Sequence, residues 1–77
     1  GVNDAAESTL KDLAESNQLY ENKFGFIFII CATGKSADEM LAMIKIRLNN
    51  NVNAEMLNAA KEQNKITKLR LEKLLLL

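Results

Sequence analysis

The chain has no histidine and a single cysteine, Cys31, and these two shortages close off several common chemistries at once. Without an imidazole there is no histidine-based metal ligation and no histidine general base, and one thiol cannot form an intramolecular disulfide. A reducing cytosol fits that usage. There is also no proline and no internal repeat. No stretch reaches the roughly 18 consecutive apolar residues that span a bilayer, and the N-terminus lacks the basic-then-apolar pattern of an export signal. Ten Lys and Arg balance ten Asp and Glu, so no net field draws the chain toward nucleic acid or an anionic membrane. The expectation is a cytoplasmic chain with neither as a partner.

What is present has the composition of a folded protein: of 77 residues, 48% are hydrophobic and 26% charged, too apolar for a disordered segment. So short a chain is one domain at most and buries only roughly 60% of its unfolded surface. The charges are segregated. Asp4, Glu7, Asp12, Glu15 and Glu21 face only Lys11 in the first 22 residues, whereas Lys61, Lys65, Lys68, Arg70 and Lys73 outnumber Glu62 and Glu72 near the end. These read as solvated helix faces, since exposed pairs contribute only about 0 to 1 kcal/mol; a basic anion site is the alternative. Gly1 in place of methionine and the apolar run Leu74 to Leu77 read as cut ends, the second wanting a partner surface.

The apolar pattern predicts an all-α fold of about three helices, over roughly 4–23, 37–49 and 54–75. Asn3 or Asp4 can cap the first, where Ala6, Leu10, Leu13, Asn17 and Tyr20 recur at helical spacing. Gly25 interrupts the period. Phe24, Phe26 and Phe28 then alternate before Ile29, Ile30 and Cys31, which taken alone is a buried strand; with no second strand to pair with, a buried extended link over 25–33 is favoured. Ser36 and Glu39 form a capping box that starts the second helix, with Met40, Leu41, Ile44 and Leu48 as its stripe. Asn49 to Asn51 end it, because asparagine tolerates left-handed turn geometry. Asn53 can cap the third helix with Glu55 near its positive end, and Leu57, Ala60, Ile66, Leu69 and Leu74 are its apolar positions.

Candidate chemistry is sparse. Gly34, Lys35 and Ser36 lie where a phosphate-binding loop would, but the motif needs glycine five positions earlier, where Ile29 stands. Gly34 as a turn, Lys35 as a solvated side chain and Ser36 as a cap account for all three. Cys31 has no histidine to activate it and reads as a buried structural thiol. The three phenylalanines lack the basic interleaving of a base-stacking platform and read as core. Arg70 is the one guanidinium on a lysine-rich helix, able to fork onto a carboxylate or a urea carbonyl. No paired inward carboxylates are evident, so no complete acid/base constellation assembles.

Asn17, Tyr20, Lys23, Phe24, Gly25, Phe26, then Phe28, Ile29, Ile30, Cys31, Ala32, then Gly34, Lys35, Ser36 resemble the phenylalanine-glycine-phenylalanine region of the 2-oxo-4-hydroxy-4-carboxy-5-ureidoimidazoline (OHCU) decarboxylases. Arg47, Leu48 and Asn49 are similar to that family's turn region, and Glu55, either Ala59 or Ala60, Glu62, Lys65, Ile66, Leu69, Arg70 and Leu71 to its last helix. The pattern is broken at Ile27, where the family usually has proline.

The resemblance implies the C-terminal portion, residues 1–77, of a single all-α, cofactor-independent decarboxylase domain of urate degradation that yields (S)-allantoin and is commonly a homodimer. It implies a substrate-lining stretch at Phe28, Ile29, Ile30, Cys31 and Ala32 and a substrate-contacting Arg70. The family's proton-donor histidine, followed by proline, and its serine and glutamate-glutamine motif fall upstream of this segment, so the expectation is half an active site that needs the other half of its domain. The competing expectation is a non-enzymatic helical interaction or dimerisation module with the leucine tail as its seam.

Overall fold

Gly25 takes a left-handed conformation, φ 82°, and its N–H caps the Glu21 carbonyl at 2.8 Å, which stops the first helix where the Phe24 side chain is already buried. In the computed structural model, which describes residues 6–75, three helices follow in order: α1 (Glu7–Phe24), α2 (Ala37–Arg47) and α3 (Val52–Leu75). The expected Asn3 or Asp4 cap, the start of the first helix at 4, and Leu76 and Leu77 lie outside the described residues. The first described helical residue is Glu7, preceded by Ala6 with no side-chain cap. Between α1 and α2 the chain forms no ladder, so among the described residues the fold is all-α, as expected. The link over 25–33 is less buried than expected: only Cys31 is buried, Phe26, Phe28, Ile29 and Ile30 are half-buried, and Gly25, Ile27, Ala32 and Thr33 are exposed, because α3 covers the link only around Cys31.

The capping box forms in both directions: the Glu39 amide donates to Ser36 Oγ at 3.1 Å and the Ser36 amide to Glu39 Oε1 at 3.4 Å. The helix it starts ends at Arg47, two residues before the expected boundary. The three asparagines that follow use no left-handed conformation. Asn49 and Asn50 donate their amides back to Ile46 and Arg47, and Asn51 caps α3 by accepting from the Ala54 amide at 2.8 Å. The cap is therefore Asn51 and not Asn53, which already lies inside the helix.

The core sits between α1 and α2. Tyr20, Phe24 and Ile44 are buried, and Leu13, Phe26, Phe28, Leu41 and Leu48 pack around them. Tyr20 is central, with ring centroids 4.6, 5.9 and 5.2 Å from Phe24, Phe26 and Phe28, tilted or edge-on as aromatic quadrupoles prefer. The expected α1 face is rotated: Ala6 and Leu10 are exposed, while Ser16 is buried.

The third helix departs furthest from expectation. Its buried stripe is Glu55, Ala59 and Glu62, continued by the half-buried Ile66 and Leu69, all three or four residues apart. Leu57 and Leu74 are 65% and 66% exposed, and Ala60 is exposed as well. The reason is geometric: Leu57 stands two residues, about 200° of helix, from the Glu55 anchor. The fold measures 38 × 33 × 15 Å, a slab little deeper than one helix of about 10–12 Å diameter, so one face of α3 has nothing to pack on.

Candidate functional site

The link from Gly25 to Ser36 cannot satisfy its own backbone as a helix or sheet does, so other groups must. Three charged side chains do so at Ile29 and Cys31. Arg47, on the last turn of α2, donates Nη1 to the Ile29 carbonyl at 2.7 Å. Glu62, in the middle of α3, accepts the Cys31 N–H on Oε1 at 3.2 Å. Lys35 donates Nζ to the Cys31 carbonyl at 2.9 Å, and is thus half-buried and engaged rather than solvated. A turn closed by the Lys35 amide on the Ala32 carbonyl, with Gly34 at φ 75°, brings the chain round to α2. Gly34, Lys35 and Ser36 are each committed to this architecture.

The expected substrate-lining residues separate into two groups. Ile30, Cys31 and Ala32 line a cleft of about 280 Å³ whose other wall is α3, with Arg70 beside Ile66 and Leu69. Arg70 is exposed, two turns along the helix from the Glu62 anchor. Phe28 and Ile29 do not line this cleft. The Phe28 ring lies under the Arg47 guanidinium, 4.5 Å from its carbon, and Ile29 presents its carbonyl to the same group. Cys31 is a buried free thiol.

Behind the link lies a polar cluster that the apolar pattern does not reveal. Glu55 is 0% exposed and receives four hydrogen bonds: Tyr20 Oη at 2.6 Å and Arg47 Nε at 2.7 Å on Oε1, Asn50 Nδ2 at 2.8 Å and Asn58 Nδ2 at 2.7 Å on Oε2. Arg47, 6% exposed, also reaches the Tyr20 hydroxyl through Nη2 at 3.4 Å. Burial pushes the Glu55 carboxyl up, but the donors from Asn50, Tyr20, Asn58 and Arg47 outweigh it and hold the group at about 2, against an ordinary 4.5. Burial and the bond to Glu55 push the Tyr20 phenol to about 12. Glu62 is buried too, and although burial raises its pKa, the Lys65 ammonium at 2.5 Å and the Cys31 N–H bring it below the usual carboxylate range.

Two inward carboxylates therefore exist, contrary to the sequence expectation. Glu55 is saturated with donors and already deprotonated, which suits an anchor and not an acid or base. Glu62 keeps acceptor capacity, and besides the link it borders a second groove of about 610 Å³ between α2 and α3. Among the described residues no cluster of three acidic or cysteine side chains could hold a metal ion, and no helix is long and apolar enough to cross a membrane. The sequence does carry a signal for the buried carboxylates: Glu55, Ala59 and Glu62 repeat at four and three, a helix face that scoring apolar residues alone passes over.

A family model described as OHCU decarboxylase matches residues 1–72. The chain is 55% identical over 67 residues to the uric acid degradation bifunctional protein TTL of Arabidopsis thaliana, covering 87% of this chain and 21% of that protein. It is 39% identical over 64 residues to the 2-oxo-4-hydroxy-4-carboxy-5-ureidoimidazoline decarboxylase of Amia calva, covering 79% of this chain and 37% of that one. A crystal structure of an OHCU decarboxylase in the presence of (S)-allantoin superposes with a TM-score of 0.89 at 53% identity, over 91% of this chain and 49% of the solved one. The chain thus spans about half the length of that structure and about a fifth to two fifths of these two relatives.

Proposed function

The chain belongs to the OHCU decarboxylase family, and on that premise we propose that its 77 residues are the C-terminal portion of one decarboxylase domain, acting in urate degradation to turn 2-oxo-4-hydroxy-4-carboxy-5-ureidoimidazoline into (S)-allantoin and carbon dioxide. The observation that carries this reading is that Arg70 and the Ile30–Ala32 backbone share one cleft. A guanidinium is suited to hold an anionic, planar substrate, and peptide groups opposite it suit the donors and acceptors of a ureide edge. Phe28 and Ile29 contribute by carrying the link on Arg47.

In the reaction the bond to the carboxylate breaks, carbon dioxide leaves, and the electron pair left on carbon takes up a proton. Arg70 offsets the charge that develops as this happens, and the apolar link keeps water from the carbon. With no histidine in the chain, the proton comes from the half of the fold that these residues do not supply. No cofactor is needed. The reading includes a cytoplasmic homodimer when the domain is complete; the single free cysteine suits a reducing compartment.

The test is Arg70→Lys in the complete domain. It keeps the charge but loses the fork, and kcat/KM should fall about 10- to 100-fold, as for a lost charged hydrogen bond of about 1.5–3 kcal/mol; unchanged kinetics would remove Arg70 from the site. A non-enzymatic interaction module is the second reading, favoured by the exposure of Met56, Leu57, Leu71 and Leu74. It requires helicity that rises with concentration in this chain alone.

A further inference from the structure

The link and Arg70 belong to different elements, and a substrate that bridges them needs their separation fixed. The main core between α1 and α2 cannot fix it, because α3 contributes no residue to that core. The polar cluster at Glu55 fixes only the first turn of α3. Glu62 is the buried α3 side chain nearest in sequence to Arg70, eight residues or about 12 Å along the helix axis, and it is the one that grips the link.

Its grip falls on a revealing peptide group. Cys31 is held by a carboxylate on its N–H and an ammonium on its carbonyl, whereas its neighbours are left open. Among the described residues, the Ile30 N–H and carbonyl and the Ala32 N–H have no hydrogen-bond partner, and both residues line the cleft. An unpaired backbone group at the half-buried Ile30 is costly unless something completes it, and the Ala32 N–H beside it lies at an exposed position open to a ligand. Pinning Cys31 while leaving Ile30 and Ala32 open turns two donors and an acceptor into a recognition edge. Glu62 itself does not border that cleft, so it acts through the link.

We propose that Glu62 is a positioning residue for the decarboxylation, holding the Cys31 N–H so that the open peptide groups of Ile30 and Ala32 meet a ureide edge at a set distance from Arg70. The proposal rests on the decarboxylase reading above. Lys65 supports the role by holding Glu62 Oε2, which orients Oε1 toward the link.

The test compares Glu62→Gln, Glu62→Asp and Glu62→Ala in the complete decarboxylase domain, with far-UV circular dichroism to verify folding. Ala removes the acceptor, so kcat/KM should fall about 10- to 100-fold, chiefly through KM, with faster hydrogen exchange at the Cys31 amide. Gln keeps the length and an acceptor oxygen and should recover most of the loss; Asp keeps the charge but is one methylene too short and should not. If Asp recovers activity and Gln does not, charge rather than the bond to the link matters, and the proposal is overturned. It is equally overturned if Ala leaves KM unchanged. Should Ala fail to fold, the order of Gln and Asp decides alone. An unsubstituted protein that makes no allantoin overturns the decarboxylase reading itself, an outcome distinct from an active protein indifferent to Glu62.

Discussion

Replacing Glu55 by Gln keeps its volume and removes its charge, and the structure gives two independent routes to the cost. Four donors converge on the two carboxylate oxygens; an amide offers one oxygen and turns two donors of its own toward the remaining groups. Arg47 is then left buried without its counter-charge, and breaking a buried pair from one side costs about 3–5 kcal/mol. Linkage gives a similar figure, since a carboxyl held at about 2 in the fold and 4.5 when unfolded contributes on the order of 3 kcal/mol at neutral pH. A native domain has a total stability of about 5–15 kcal/mol, so in the complete domain Glu55→Gln should remove a large part of it. Because the folded pKa is the depressed one, the stabilisation is complete above pH 4.5 and is lost as pH falls toward 2. Urea unfolding followed by circular dichroism should show the two proteins far apart at pH 7 and converging near pH 2. Glu62 titrates in both and largely cancels from the difference. A gap below about 1 kcal/mol at pH 7, or one that persists unchanged to pH 2, would refute the reasoning.

Other consequences follow from single side chains. Tyr20→Phe removes one of the four Glu55 donors and should cost about 1–3 kcal/mol in the same unfolding assay, with no change in helix content before the transition. The unsubstituted protein should also lose stability as pH rises from 10 toward 12, because the fold favours the neutral phenol; the Tyr20→Phe variant should lack that component. Ser36→Ala deletes the capping box and should cost about 1 kcal/mol, with faster amide exchange confined to the first turn of α2.

Where the sequence can be read and where it cannot follows from the reach of each signal. The Ser36 and Glu39 box is local and complete within four residues, and it locates the start of α2 to the residue. Gly25 likewise marks the end of α1. The choice of Asn53 over Asn51 as the α3 cap fails because a run of asparagines offers several caps of equal merit, and only the fold chooses among them. The α3 face is misread because its anchors are charged: a search for apolar stripes sees Leu57 and Leu74 and overlooks Glu55 and Glu62. Burial of those carboxylates depends on Arg47, Tyr20 and the Cys31 amide, which lie 8 to 35 residues away and become neighbours only in three dimensions. For the candidate site, family resemblance supplies Arg70 and the link, and the structure narrows the link's cleft-facing part to Ile30, Cys31 and Ala32.

The claim that this chain is the substrate-holding part of a decarboxylase is tested most directly by reconstitution. The chain is mixed with a separately expressed N-terminal half of the same fold, supplied with freshly generated ureidoimidazoline, and (S)-allantoin is followed by circular dichroism. Enantiomerically pure product should form faster than in buffer only when both halves are present, and Arg70→Lys should remove most of that rate. Equal acceleration by the 77 residues alone, or a reconstituted rate indifferent to Arg70, would contradict the account.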